Sequence, residues 1–202
     1  MAVGIDVAEA RKGLDLVALD ANRCIVSSHG RLSVGDAARL VIDEIRPSIV
    51  CVDSPPGWAH SGRSRSAERE LARLGFSAFP VGADPGDHPF YRWIRVGITL
   101  YEAIADFYPR YRQGELRGKA VEVFPNASAQ RLAGHRRPTG VTKTAFRRSA
   151  LASHGVDELN LKNLDRVDAA LAALTGLVAL QGLCQVVGDP VDGVVVLPDL
   201  TR

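Results

Sequence analysis

Five carboxylates stand where the surrounding pattern does not require an acid. Asp6 interrupts the first apolar run, two residues after Gly4, and Asp53 ends the most hydrophobic stretch of the chain. Glu122 alternates with Val121 and Val123, so it points to the opposite strand face from them. Asp165 and Asp168 are one helical turn apart and share a face. Singly, each has an ordinary explanation. Asp6 and Asp53 can start turns, Asp165 is a good helix N-cap with Asp168 favoured in the first turn, and Glu122 can face water. Together they point to chemistry, because adjacent strands would bring Asp6 and Asp53 to one sheet edge. Crowded carboxylates raise one another's pKa unless a cation neutralises them. Oxygen ligands of this hardness select Mg²⁺ or Mn²⁺ over zinc. Two such ions roughly 3.5–4 Å apart can activate a water and stabilise the leaving oxygen of a phosphodiester.

Basic residues supply a second pattern in a chain of 202 residues and net charge +2. Arg65, Arg69 and Arg73 recur every four residues, on one face of an expected helix. From Arg131 to Arg148 there are six Lys/Arg and no Asp/Glu, with Arg136, Arg137, Lys143, Arg147 and Arg148 as the cluster. The functional reading is a phosphate-backbone track leading to the acids, hence a nucleic-acid partner. The plain alternative is a solvated face, with Glu68 and Glu70 as partial neutralisers of the first cluster. Other chemistries lack their signatures. No His/Cys set has zinc spacing, and Ser54 lacks a G-x-S-x-G elbow. Cys24, Cys51 and Cys184 are far apart without a CxxC, which reads as small hydrophobes in a reducing compartment.

The elements that must position these residues follow from periodicity. Short strands are expected at 2–7, 14–19 and 24–29, joined by turns tight enough for an antiparallel meander. Ser33 N-caps a helix through about 45, which Pro47 stops. Residues 49–52 form a strand buried on both faces, ending at Asp53. A basic amphipathic helix at about 64–74 closes at Gly75. The aromatic-rich stretch 76–118 reads as an insertion, with a Pro/Gly-rich loop at 81–89 and a helix at about 91–111. The apolar stripe of that helix, including Trp93, suits a core or homodimer seam, and base stacking by Trp93 or Tyr91 is the alternative. Residues 119–124 make a strand broken by Pro125, 142–153 a basic helix, 165–181 a buried alanine-rich helix, and 193–197 a final edge strand. This order implies an α/β fold with a mixed sheet and helices on both faces, as a single domain over 1–202. Hydrophobic residues at 46% and charged residues at 24% suit a soluble protein, and no apolar stretch reaches membrane-spanning length. The expectation is a cytoplasmic protein without a membrane partner.

Five segments, in order from position 4 to about 180, carry a resemblance. They are Gly4-Ile5-Asp6-Val7-Ala8, Val52-Asp53-Ser54-Pro55, Arg65-Ser66-Ala67-Glu68-Arg69-Glu70-Leu71 with Gly75, Glu122-Val123-Phe124-Pro125, and Asp165-Arg166-Val167-Asp168-Ala169-Ala170. The chain resembles the predicted-nuclease family catalogued as domain of unknown function 429, within the ribonuclease H-like superfamily. The Asp-x-x-Asp-Ala run also resembles that of Holliday-junction resolvases in the same superfamily. The resemblance implies a ribonuclease H-like sheet and a metal-dependent nuclease. In it Asp6, Asp53 and Asp168 are the metal ligands, and Asp165 or Glu122 completes the shell. The chain departs from the resolvase-like members at Asp53, where they often carry Glu.

Three readings stay open in this order: a Mg²⁺- or Mn²⁺-dependent nuclease, a non-catalytic nucleic-acid or protein-binding module, and a sugar-kinase-like or actin-like phosphoryl transferase. The last is disfavoured because the turn Ala8-Glu9-Ala10-Arg11-Lys12-Gly13 is not a Gly-Thr-rich phosphate loop.

Overall fold

The computed structural model describes residues 1–201. Strand β1 (Ala2–Asp6) is followed by β2 (Leu14–Leu19) and β3 (Ile25–Leu32), the expected meander. Helix α1 (Val34–Arg39) is capped by the Ser33 side chain, which accepts from the Asp36 amide. It widens into π-helical turns over Leu40–Ile45 and ends where Arg46 turns left-handed ahead of Pro47. Next come β4 (Ile49–Asp53), α2 (Ser66–Arg73), α3 (Arg92–Ile104) and β5 (Ala120–Val123). The last third holds α4 (Pro125–Ala133), α5 (Lys143–Ala152), α6 (Leu164–Leu180), β6 (Cys184–Asp189) and β7 (Gly193–Pro198).

The sheet order is β3-β2-β1-β4-β5-β7-β6. Strands β1, β4, β5 and β7 are parallel, while β2, β3 and β6 run against their neighbours. An antiparallel meander continued by parallel strands beside β1, with helices on both faces, is the ribonuclease H-like arrangement. Alternation divides the core. Ala2, Ile49, Cys51, Val121 and Val123 pack under α4, α5 and α6. Val3, Ile5, Val50, Val52 and Ala120 pack against α1 and α3 on the other face. Helix α2 rests on β6 and β7 through Ala67, Leu71, Val187, Val195 and Leu197.

Two expectations are corrected, and one helix is added. The strand ends before Pro125 as expected, and Pro125 also opens α4, a helix absent from the sequence expectations, because its missing N–H costs nothing in a first helical turn. The expected final edge strand β7 is interior, and the edge is β6. The helix expected over 91–111 ends at Ile104. Its residues Leu100, Tyr101 and Ile104 are buried in the chain's own core, the core alternative of that expectation. Among the described residues no helix is long and apolar enough to cross a membrane.

Candidate metal centre

Parallel pairing sets Asp6 directly beside Asp53, as the last residues of β1 and β4. Both have the parity of Ala2, Ile49 and Cys51, so they project to the face that α6 covers. That helix lies close on β1 because Gly4 lacks a side chain. A Cβ there would stand 1.9 Å from the Ala169 carbonyl oxygen and 2.4 Å from the Ala173 nitrogen. The close approach lowers Asp168 onto the two strand acids. One carboxylate oxygen from each of Asp6, Asp53 and Asp168 lies within 4.8 Å of the others.

The electrostatics of this trio are unbalanced. Removal from water, then repulsion by Asp168 and Asp165, pushes Asp6 up from 3.8 to about 8. Asp53 is held well above the usual carboxylate range by desolvation and by Asp6 and Asp168. Asp168 is raised by desolvation, which outweighs the opposing pull of Arg147 and Lys143. The guanidinium of Arg147, 4% exposed, donates through Nη1 to Asp168 Oδ2. Asp168 Oδ1 is buried without a hydrogen-bond partner, and so is Arg147 Nε. Three converging carboxylates against one guanidinium, with an orphaned buried oxygen among them, form an all-oxygen donor set. That set fits a hard divalent cation.

The other acids named from sequence lie elsewhere. Asp165, in the first turn of α6 behind the Asn163 cap, meets Lys12 Nζ at 2.7 Å. It borders the trio without being one of its three converging carboxylates. Glu122 is on the opposite face of the sheet. It is in register with Val52, whose side chain faces away from α6, and not with Asp53. There Arg65 Nη1 and Nη2 each donate to Glu122 at 2.7 Å, while Nε and Nη2 donate to Glu68 at 2.8 and 2.5 Å. Glu122 therefore does not complete a shell with the trio. It anchors the start of α2 to the sheet.

The expected basic track is also redistributed. Arg65 is 1% exposed and belongs to that buried anchor, so it presents nothing to a phosphate. Arg147 sits on Asp168, inside the acidic centre. Lys143 is exposed in the first turn of α5 and acts electrostatically on Asp168. Arg69, Arg73, Arg136 and Arg137 are exposed, and Arg136 lies over Gly75 at the end of α2, where the two clusters meet.

Sequence reasoning missed Asp15. It pairs directly opposite Asp6 across the first hairpin, is buried, and is balanced by Arg166 Nε at 3.3 Å. The available signal was an acid inside the otherwise apolar β2. The place of Lys12 beside Asp165 had no such signal, since both lie outside the strands that bring them together.

Two solved structures are similar to this chain. Thermus thermophilus RuvC aligns at 17% identity and TM-score 0.47, covering 90% of this chain and 96% of its own. T. thermophilus RuvC in complex with a Holliday junction substrate aligns at 17% identity and TM-score 0.49, covering 90% and 95%. No curated protein matches the chain. Residues 4–192 match the family described as protein of unknown function (DUF429), and the chain belongs to that family.

Proposed function

We propose that the protein is a divalent-metal-dependent nuclease that hydrolyses phosphodiester bonds in DNA or RNA. The observation that carries this reading is the Asp6–Asp53–Asp168 trio, with its converging oxygens and unpartnered Asp168 Oδ1. These three residues would hold Mg²⁺ or Mn²⁺, which supplies Lewis acidity and a nucleophilic water at neutral pH. Asp165 stands at the border of the centre, where its carboxylate orients Lys12. Lys143, exposed beside Asp168, seats a phosphate at the mouth of the centre. Arg147 neutralises Asp168 and keeps the crowded carboxylates folded together.

That same Arg147 contact favours a second reading. A resident guanidinium can make the centre a purely structural one, as a non-catalytic binding module of this fold would require. Calorimetric titration of Mn²⁺ into wild type, Asp6→Asn and Asp168→Asn separates the two. The nuclease reading expects saturable binding in wild type that both variants lose. It also expects Mn²⁺-dependent cleavage of end-labelled DNA or RNA strands that falls at least about 100-fold in the variants while their melting stays cooperative. Asn variants that cleave as well as wild type would show the site assignment to be wrong.

A further inference from the structure

The chain's two tryptophans, Trp58 and Trp93, belong to an aromatic surface near Asp53 that the proposed chemistry does not use. Phe79 and Phe90 meet edge-to-face at 4.9 Å, Phe90 and Tyr91 at 5.2 Å, and Trp58 and Tyr91 at 5.9 Å. An edge contact occupies a ring's rim or one face only. Phe79, 66% exposed, and Phe90, 38% exposed, therefore keep ring surface open to solvent. Phe79 and Trp93 also line a cavity of about 70 Å³ with Asp53, Ser54, Arg65 and Glu122, so of the three clustered aspartates it is Asp53 that borders this surface.

Its rim carries three arginines and one acid, with Arg11 paired to Glu9 at 3.3 Å and Arg95 donating to the Gly86 carbonyl at 2.6 Å. Arg92 and Arg95 are exposed at the start of α3, and the Arg95 guanidinium lies 5.6 Å from the Trp58 ring centroid. The same two arginines share a hollow of about 360 Å³ with Arg11, in the turn that follows Asp6. Asp87 approaches Arg95 only to 4.0 Å, at the limit of an ion pair.

We infer that this aromatic surface is a stacking platform for unpaired nucleobases, with Arg11, Arg92 and Arg95 receiving the phosphates. Resting on the nuclease reading for the cleavage itself, it makes single-stranded nucleic acid the substrate class. The chemistry selects this ligand. Open π faces flanked by guanidinium groups suit flat rings on an anionic backbone. A base inside a duplex already has its faces covered by its neighbours, so only an unpaired one can use the platform.

The test is a titration of tryptophan emission in the full-length protein, in EDTA. The probes are an oligo-dT strand, an oligo-U strand and a blunt DNA duplex, each of about 15 nucleotides. The platform predicts saturable quenching by a single strand, with the duplex at least about tenfold weaker. Phe79→Ala should weaken strand binding about tenfold and leave melting unchanged, because the side chain is largely exposed. Phe90→Ala should weaken it in the same direction. The dT and U arms tell which backbone is preferred. Equal affinity for duplex and single strand, or wild-type affinity in both Phe variants, would overturn the platform. Cleavage of the same strands in Mn²⁺ is scored separately. Phe79-dependent binding without cleavage sinks the nuclease reading and leaves the platform standing, and cleavage with Phe79-independent binding does the reverse.

Discussion

Asp6 has an ordinary pKa of 3.8 and is held at about 8 in the fold. A raised carboxyl holds its proton more tightly folded than unfolded. The stability it contributes is therefore complete below about pH 4 and lost as pH rises through about 8. Asp53 and Asp168 are shifted in the same direction. Metal-free protein should melt at progressively lower temperature from pH 5 to 8.5, and Asp6→Asn should flatten that slope. Thermal melts in EDTA across this range check it, and a melting temperature that climbs with pH would contradict the assignment. Arg147 gives a second prediction at this scale. Arg147→Ala leaves Asp168 among like charges, so the metal-free protein should lose several degrees, given that about 1 kcal/mol moves a domain of this size by roughly 2–4 °C. Mn²⁺ should restore more stability to this variant than it adds to wild type, read in the same melts. Of these residues, Asp6, Asp53 and Asp168 were legible from sequence because acids at strand ends and in an apolar helix stand out. Arg147 was legible only as a cation. Its burial depends on α5 packing over α6, which no local pattern encodes.

The elements hold the centre through two close approaches. Gly4 lets α6 touch β1, and Gly97 lets α3 lie on Ser54, where a Cβ would come within 2.0 Å of the Ser54 hydroxyl. At Gly4 the obstructing atoms are backbone of α6, so no rotamer change relieves the clash. Gly4→Ala should therefore destabilise by about 1–3 kcal/mol and weaken Mn²⁺ binding by lifting Asp168 off the strands, measured by denaturant melts and calorimetry. The Arg65 anchor is a separate device on the other face. Arg65→Met should cost about 3–5 kcal/mol, because Glu68 and Glu122 are left buried and unpaired. Adding Glu68→Gln and Glu122→Gln should recover part of that loss. Helix and strand types were largely readable, since periodicity is local. Two elements were not. Pro125 reads as a stop unless the helix behind it is known, and Cys184–Asp189 reads as loop after Gly182 until β7 pairs with it.

At the scale of the whole molecule, a net charge of +2 conceals a local arrangement: acids at the carboxyl edge, Lys143 acting on Asp168, and Arg11, Arg92 and Arg95 gathered at one hollow. If these four cations contact phosphates, the logarithm of single-strand affinity should fall against the logarithm of salt with a slope of roughly −3. Binding measured at several salt concentrations checks this, and a flat dependence would remove the backbone contacts. By itself the sequence determined the inventory of acids, the strand-and-helix order and the meander, because these rest on spacing within a few residues. Only the tertiary structure decided which acids meet. Glu122 and Asp53 are both acids near strand ends, yet strand alternation and the β4–β5 register send them to opposite faces of the sheet. The same long-range pairing buries Arg65 as an anchor and Arg147 as a counterion. A one-residue change of register would have exchanged the faces, and only the packing of distant segments fixes that register.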